Sequence, residues 1–162
     1  LRAKGFSITI DFIGGGGKGI NKFISLLKNI DPENKYLKYH GKINRHEMEN
    51  FYKNSDICLF ASSCENMPNI LLEAMTSNLP VVCSNKGPMP EILGNAGVYF
   101  NPENIGEIEV AISEVINDAE LQKYMINEGS KKVQSFTWSK CSNQTFTFLK
   151  KIAIENKINY NV

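Results

Sequence analysis

Short apolar segments alternate with segments of helical periodicity, and this alternation limits the fold more than any other feature of the chain. In the helical segments, apolar residues recur three and four positions apart, as on one face of a helix. The strand-like segments are apolar throughout, which suits a parallel sheet that is covered on both faces. The sequence therefore predicts an α/β fold in which helices cover both faces of a doubly wound parallel sheet.

The same patterns give approximate element bounds for this Rossmann-like sheet. The predicted strands are 7–13, 36–40, 56–61, 80–83 and 97–100. The predicted helices are 18–30, 45–54, 69–77, 104–117, 118–133 and 138–155, with a short helical turn after Pro90. Ligands of doubly wound sheets bind beyond the carboxyl ends of the strands. We therefore expect a functional rim in the loops that follow Ile13, His40, Ala61, Cys83 and Phe100.

Composition narrows the class of protein. The 162 residues suit one domain, and a hydrophobic fraction of 42% is enough for a core. A formal net charge of +1 argues against a nucleic-acid partner. The four cysteines are predicted to be free thiols without a metal, because none forms C-x-x-C and no histidine stands at ligand spacing from them. No apolar run reaches the roughly 20 residues of a membrane helix. We expect a fragment of a longer polypeptide, because the chain opens without an initiator Met.

The glycine run GGGGKG (14–19) follows an apolar strand and satisfies G-x-G-x-x-G, the dinucleotide fingerprint. That fingerprint also needs an acid at the end of the next strand, where the chain reads YHGK (39–42). A P-loop is disfavoured as well, because Gly19 and not Ser or Thr follows Lys18. Two interpretations stay open: a tight strand-to-helix turn, or a backbone loop that lines a nucleotide-sugar cleft.

Residues 62–75 (SSCENMPNILLEAM) carry two acids eight positions apart, Glu65 in a loop and Glu73 about one turn into a helix. The free amides and positive dipole end of a helix start favour a phosphate. A carboxylate can accept two hydrogen bonds from a vicinal diol. This arrangement fits a nucleotide-sugar, with the amides on the diphosphate, Glu73 on the ribose and Glu65 on the sugar. It equally allows a surface Glu73 and a Glu65 that caps the helix.

Several motifs occur in the order found in retaining family-4 glycosyltransferases of the GT-B fold. The family's E-x7-E, E-A-M, P-V-V, P-E and A-G-x-x-F/Y-x-P elements resemble residues 65–73, 73–75, 80–82, 90–91 and 96–102. YHGKINRHEMENFYKNSDICLFASS (39–63) is similar to the preceding family segment, and SFTWSK (135–140) to the F-x-W near its last helix. The likeness extends over nearly the whole chain.

The resemblance implies a GT-B enzyme in which two Rossmann-like domains face a cleft. Residues 1–162 would be its single C-terminal, donor-binding domain, and the N-terminal acceptor domain would be absent from this chain. Glu65 is implied as the catalytic residue that contacts the transferred sugar, and Glu73 as the ribose ligand. The other donor-binding residues implied are Asn66, Met67, Pro68, Asn69, Ile70, Leu72, Gly14, Gly15, Gly16, Lys42 and Ile43.

The implied activity is hexosyl transfer with retention from a nucleotide-diphosphate sugar, UDP- or GDP-linked, to a glycan or lipid-linked acceptor. No cofactor is implied, and no metal, because no D-x-D follows a strand. Bacterial polysaccharide biosynthesis in the cytoplasm is the expected setting, with a peripheral contact of the full-length enzyme at the inner membrane face as an option. Two alternatives stay open, a GT-B nucleotide-sugar epimerase and a non-catalytic nucleotide-binding partner module.

The chain also departs from the family pattern. The family's Arg–Lys pair on the leaving diphosphate has no counterpart, because Arg2 and Lys4 stand too close to Gly14. The first strand of the family's donor-binding domain has no counterpart in this chain either. Where the family often has an Asp in the glycine loop, this chain has Gly15. Pro88 stands where the family has a second glycine before P-E, and Asn78 stands where it has a glycine before Leu79. We therefore expect the isolated chain to bind a nucleotide weakly and to catalyse little.

Overall fold

The computed structural model describes residues 1–159, with side chains to residue 156. It divides into two compact units, residues 1–55 and the part that begins at Asp56. Unit 1 contains a 3-10 turn (Arg2–Lys4), β1 (Ile10–Ile13), α1 (Ile20–Ile30), β2 (Leu37–Gly41) and α2 (Arg45–Asn54). Unit 2 contains β3 (Cys58–Phe60), α3 (Asn69–Thr76), β4 (Val81–Ser84), α4 (Met89–Leu93), a 3-10 turn (Gly94–Ala96), β5 (Gly97–Phe100), α5 (Ile105–Asn117), α6 (Ala119–Val133) and α7 (Trp138–Asn159).

Unit 1 is a parallel pair of strands with a helix on each face. β1 pairs with β2, and the register shifts by one residue between Phe12 and Ile13. Side chains alternate between the faces of a strand. On one face Phe23 of α1 packs edge-on against Phe12, at 5.1 Å between ring centroids, and against Tyr39, at 6.0 Å. On the other face His40 packs on Phe51 of α2 at 4.6 Å.

Asp31 is a buried acid that organises the turn between α1 and β2, with only 3% of its surface exposed. Its Oδ2 accepts hydrogen bonds from the amides of Tyr36, at 2.7 Å, and Leu37, at 2.8 Å. Burial alone would raise the pKa of this carboxyl, but the backbone amides around it outweigh burial and the pKa lies below its ordinary value. The turn therefore favours the charged form of Asp31.

Acid is expected to destabilise unit 1 through this carboxylate. The folded-state pKa lies below the unfolded value of about 3.9. The stabilisation is therefore fully present above that value and is lost as the pH falls through the lower, folded-state pKa. Asp31→Asn should lower the urea midpoint of unit 1 at neutral pH, and this midpoint should then fall less steeply as the pH is lowered. Amide exchange in β1 and β2 at each urea concentration and pH measures the unfolding of unit 1. Asp56→Asn, at an exposed acid, is the control. Acid profiles that coincide for the wild type and Asp31→Asn would contradict this role.

Unit 2 is built on a three-stranded parallel sheet in the order β3-β4-β5. The central strand β4 is buried at all four positions, as expected for a strand covered on both faces. A cluster of fully buried side chains joins the sheet to α5 and α6: Val82, Phe100, Ala111, Val115 and Met125. The predicted α/β fold, with parallel strands flanked by helices, is confirmed.

Two backbone features let α3 pack closely in unit 2. Asn78 follows α3 with a φ of +58°, the left-handed conformation that a tight helix exit requires and that Asn tolerates. Gly129 of α6 faces Met75 of α3, and a Cβ at Gly129 would lie 3.1 Å from Met75 Cγ. The absent side chain therefore allows α6 to approach α3, and this contact fixes α3 from one side.

Helix α7 carries an exposed run of large apolar side chains. Trp138, the single tryptophan of the chain, is 89% exposed, and Phe146 and Phe148 are 70% and 61% exposed. Leu149 and Ile154 are exposed as well. None of the described helices combines the length and apolar character needed to cross a bilayer.

Candidate functional site

The start of α3, the helix that follows β3, has no side-chain cap, and the starts of α1 and α4 have none either. The N-cap of α3 is Pro68, and no side chain accepts a hydrogen bond there. The starts of α2, α5 and α6 are instead closed by the side chains of Asn44, Asn104 and Asp118. The first amides of a helix have no intrahelical acceptor. The N–H groups of Asn69 and Ile70, which precede the bond from the Leu71 amide to the Pro68 carbonyl, are therefore available to an anion.

The residues of α3 divide cleanly between an inner and an outer face. Leu71, Ala74 and Met75 are buried in unit 2. Asn69, Ile70 and Glu73 are exposed, and their spacing of three and four residues puts them on one face. Glu73 lies about 6 Å along the axis from Asn69, at 1.5 Å per residue. One carboxylate thus stands one turn above the open amides.

Glu65 lies half-buried in the loop between β3 and α3, with Asn66 and Met67 exposed beside it. The loop after β4 reaches it through Gly87, where a Cβ would lie 3.7 Å from the Glu65 carbonyl oxygen. Gly87 has a φ of +56°, which favours glycine. The buried Ser84 holds the base of that loop, since its Oγ accepts a hydrogen bond from the Lys86 amide at 3.1 Å. Two rim loops therefore meet at Glu65.

Unit 1 brings the glycine run to the ends of β1 and β2. The Gly14 amide donates to the Gly41 carbonyl at 2.9 Å, and the Tyr39 hydroxyl donates to the Gly14 carbonyl at 2.9 Å. A Cβ at Gly15 would lie 4.0 Å from Cβ of Lys42. Gly16 packs on Ile20, whose side chain occupies the position that a Cβ at Gly16 would take. The run is the loop that joins β1 to α1, and among its glycines only Gly16 is closely packed, while Lys42 lies beside Gly15.

The predicted site residues fall into one group in each unit. Gly14, Gly15, Gly16, Lys42 and Ile43 belong to unit 1. Glu65, Asn66, Met67, Pro68, Asn69, Ile70, Leu72 and Glu73 belong to unit 2. Pro68 is buried and Leu72 half-buried, so their side chains pack against protein. The role of each residue toward a ligand remains a prediction.

Sequence reasoning missed two residues that shape these loops. Tyr39 was assigned only to a strand, although its hydroxyl fixes the Gly14 carbonyl. Gly87 was not singled out, although its loop contacts the backbone of Glu65. Gly87 had a signal in the sequence, because it stands where the family has the first of two glycines before P-E. Tyr39 had none.

The four cysteines are free thiols, as predicted. Burial raises the pKa of Cys58 and of Cys83 to about 12, whereas Cys64 and Cys141 are exposed. Between residues 1 and 159, no group of three or more His, Cys, Asp or Glu side chains is arranged to hold a metal ion.

Alkylation is expected to separate the two pairs of cysteines. The thiolate is the reactive form, and a pKa of about 12 in place of about 8.5 leaves roughly a thousandfold less of it. Iodoacetamide at mildly alkaline pH should modify Cys64 and Cys141 and leave Cys58 and Cys83 intact, as read by peptide mass spectrometry. Modification in urea, where all four should react, is the control. Reaction of Cys83 in the folded chain at the rate of Cys141 would be inconsistent with its burial.

A scan against protein families gives one decisive match: the model described as "Glycosyl transferases group 1" covers residues 7–132. The chain belongs to the group 1 glycosyl transferases. Among its relatives is the O-antigen chain mannosyltransferase B of Escherichia coli, which is 27% identical over 115 residues. That alignment covers 71% of this group 1 chain and 30% of the relative. The chain therefore spans about a third of the length of the curated relatives it matches.

Solved structures share the fold of this group 1 glycosyl transferase chain. An α,α-trehalose 6-phosphate synthase from Burkholderia multivorans matches 99% of the chain with a TM-score of 0.84 at 11% identity, over 39% of its own length. Anabaena HepE, solved in complex with UDP, matches 89% of the chain with a TM-score of 0.75 at 20% identity, over 41% of its length. The matches thus confirm a glycosyl transferase of group 1 and an α/β fold like that of GT-B glycosyltransferases, whereas family 4, retention and the C-terminal position in the enzyme stay predictions. Neither alternative, the epimerase or the non-catalytic module, gains support from these matches.

Proposed function

We propose that this chain binds the donor of a retaining, metal-independent hexosyltransferase, a UDP- or GDP-linked sugar. The family membership and the UDP bound by HepE support a nucleotide-sugar donor. No separate cofactor is needed for such a transfer, because the nucleotide is the leaving group. The donor residues proposed are the unit 2 group around α3, assisted by the glycine run and by Lys42 and Ile43 of unit 1.

The open start of α3, with an acid on each side of it in sequence, carries this proposal. Its two leading amides and the positive end of the helix favour the diphosphate of a donor. Two carboxylates beside an anion are costly unless each binds a neutral donor group, and sugar hydroxyls provide such groups. Glu73, one turn along the exposed face, would bind the ribose diol. Glu65, in the loop ahead of the helix, would bind the hydroxyls of the transferred sugar.

The same residues suggest how transfer would proceed. Cleavage of the glycosidic bond leaves negative charge on the nucleoside diphosphate and positive charge on the sugar ring. Amides that already point at the diphosphate stabilise the first charge without reorganisation. The Glu65 carboxylate would orient the sugar and stabilise the second charge. We propose no covalent bond between the Glu65 carboxylate and the sugar.

The acceptor half of the reaction is proposed to lie outside residues 1–162. An N-terminal domain would hold a glycan or lipid-linked acceptor and complete the cation set on the diphosphate. The O-antigen enzyme among the relatives supports a role in bacterial surface-polysaccharide assembly. The donors for such assembly would be met in the cytoplasm, at the inner face of the membrane for a lipid-linked acceptor. The chain alone is then expected to bind donor without turning it over.

Calorimetry with UDP, GDP and ADP, and with their sugar conjugates, tests the proposal directly. We expect one nucleotide series to bind in the micromolar to millimolar range. Cys64 offers a second readout, because it is exposed and precedes Glu65. Bound donor should slow alkylation of Cys64 and leave Cys141 on α7 unchanged. Donor binding at this site would be refuted if none of the three series gave a heat of binding and the alkylation rate of Cys64 stayed the same with and without donor.

A further inference from the structure

A groove of about 450 Å³ lies between β5 and α5 in unit 2. Val98 and Tyr99 of β5 line it on one side, and Val110 of α5 lines it on the other. Val110 is 66% exposed, which leaves an apolar side chain open to a partner. None of the proposed donor-binding residues lines this groove, so an inference drawn from it is independent of the proposed function.

The backbone of β5 has an open edge on the side away from β4. No strand among residues 1–159 other than β4 pairs with β5. The Phe100 carbonyl accepts a hydrogen bond from the Asn85 amide, which follows β4, at 2.8 Å. Peptide groups alternate in direction along a strand, so the N–H and C=O of Tyr99 point away from β4. Backbone groups at such an edge can pair with an added strand.

The groove is acidic as well as apolar. Glu107 and Glu114 line it from α5. The Glu107 carboxylate accepts hydrogen bonds from the Asn101 amide at 2.8 Å and from Asn104 Nδ2 at 2.9 Å, which hold it in place. The surrounding segment 87–122 contains seven Asp or Glu and no Lys, Arg or His, so the rest of the chain carries a formal charge of +8 against a total of +1. The groove therefore complements a positively charged partner.

The spacing of these side chains indicates the sequence pattern of that partner. Glu107 and Glu114 lie roughly 10 Å apart along the axis of α5, with Val110 between them on the same face. In an extended strand, residues i and i+4 lie on one face about 13 Å apart, with residue i+2 between them. Long cationic side chains at i and i+4 would reach the two carboxylates, and an apolar residue at i+2 would contact Val110.

We propose that this groove binds an extended basic polypeptide segment of the pattern Lys/Arg-x-Val/Ile-x-Lys/Arg, which adds a strand to the open edge of β5. In this mode of recognition, main-chain hydrogen bonds supply affinity and alternate side chains supply specificity. β5 has neither a charged residue nor a proline that would protect its edge from such pairing. A second copy of the same edge is a poor occupant, because it would bring two acidic surfaces together.

Fluorescence anisotropy with a designed peptide tests the proposal. The probe is dye-labelled Ser-Lys-Thr-Val-Thr-Lys-Ser, and the matched control peptide has Glu in place of both Lys. The control peptide should bind at least about tenfold more weakly, because two ion pairs become like-charge contacts. A saturating concentration of the probe should slow amide exchange at Tyr99 about three- to tenfold, the effect of one net hydrogen bond. Exchange at Val98, whose amide points toward β4, should change less.

Two variants of α5 locate the binding site. Val110→Lys places a cation in the groove and should weaken binding of the probe about tenfold or more. Ile105→Lys makes the same change at an apolar residue that is 84% exposed and that faces away from the groove by helical spacing. It should leave the affinity within about twofold of the wild type. Circular dichroism checks that both variants are folded.

Slower exchange at Tyr99, together with weaker binding by Val110→Lys alone, would support the docking surface. Absence of probe binding, equal binding of the Lys and Glu peptides, or equal effects of the two variants would overturn it. Binding that leaves exchange at Tyr99 unchanged would exclude an added strand. Sedimentation of the chain without peptide should show a monomer. An oligomer that Val110→Lys dissociates would identify a second copy as the occupant and overturn a basic segment.

Discussion

Replacing Glu73 by alanine is expected to weaken nucleotide binding about 10- to 100-fold while leaving the stability of unit 2 nearly unchanged. Hydrogen bonds to a charged group contribute about 1.5–3 kcal/mol, which corresponds to that range of Kd. The side chain of Glu73 is exposed on α3, and substitutions at exposed positions usually change stability by less than about 0.5 kcal/mol. Calorimetry with the best-binding nucleotide measures the first quantity, and urea unfolding the second.

Glu114→Ala is the matched control for Glu73→Ala, because Glu114 is an exposed acid of another helix, α5. It should bind nucleotide as the wild type does. Glu73→Gln should lie between the wild type and alanine, since an amide keeps one acceptor. A comparison of the nucleotide with its 2′,3′-dideoxy form sharpens the assignment, because the effects of losing the diol and losing Glu73 should not add. Wild-type affinity in Glu73→Ala would show that this acid does not bind the ribose.

The largest effect on stability is expected for Phe100→Ala, a loss of about 3–5 kcal/mol in the free energy of unfolding of unit 2. Phe100 is 1% exposed, at the end of β5, and packs with Val82, Val115 and Met125. Removing the ring deletes buried apolar surface and leaves a cavity that the surrounding sheet and helices close only in part. Urea unfolding followed by far-ultraviolet circular dichroism measures the loss.

Phe146→Ala provides the comparison at an exposed phenylalanine, since Phe146 is 70% exposed on α7. It should change the unfolding free energy by less than about 0.5 kcal/mol. Phe100→Leu, which keeps most of the apolar volume, should cost clearly less than Phe100→Ala. Similar losses for Phe100→Ala and Phe146→Ala would mean that the cluster around Phe100 is not the core of unit 2.

Local signals account for the elements that the sequence predicted well. Helix α2 was predicted at 45–54 and occurs at Arg45–Asn54. Its start is fixed by a capping box in which Asn44 and Glu47 bond each other's amides, and both residues lie within the segment itself. The start of α3 at Asn69 likewise follows from the proline before it. Elements whose ends depend on neighbouring residues can be found from sequence.

The first and third strands were predicted too long, because pairing depends on residues far away in the chain. The first strand was predicted at 7–13 and occurs at Ile10–Ile13. Upstream of Ile10, the Ile8 carbonyl accepts a hydrogen bond from the Arg2 guanidinium at 3.0 Å, and the pairing of β1 with β2 begins only at Ile10. The third strand was predicted at 56–61 and occurs at Cys58–Phe60, the residues that β4 pairs. An apolar run shows where a strand can form, but its partner decides where it ends.

In the candidate site, too, the features that depend on neighbouring residues were predicted and the contacts between distant residues were not. Glu65 and Glu73 came from a motif within nine residues, and the open start of α3 followed from Pro68. The contact of Gly87 with the Glu65 backbone joins loops 22 residues apart in numbering, which no local pattern contains. The sequence analysis placed Asp31 only just beyond the predicted helix 18–30, although its carboxylate is the acceptor for the following turn. Side-chain chemistry was readable from the sequence, and the contacts that hold it in place were not.

The position of Trp138 determines what intrinsic fluorescence can report. The only indole of the chain is 89% solvated at the first residue of α7, so its emission maximum should already be near that of free tryptophan in buffer. Melting of either sheet should then barely shift the spectrum, and a flat fluorescence trace would be a misleading sign of heat resistance. The same residue becomes a sensitive dye-free reporter for anything that covers α7, because burial of the indole would move its emission to the blue.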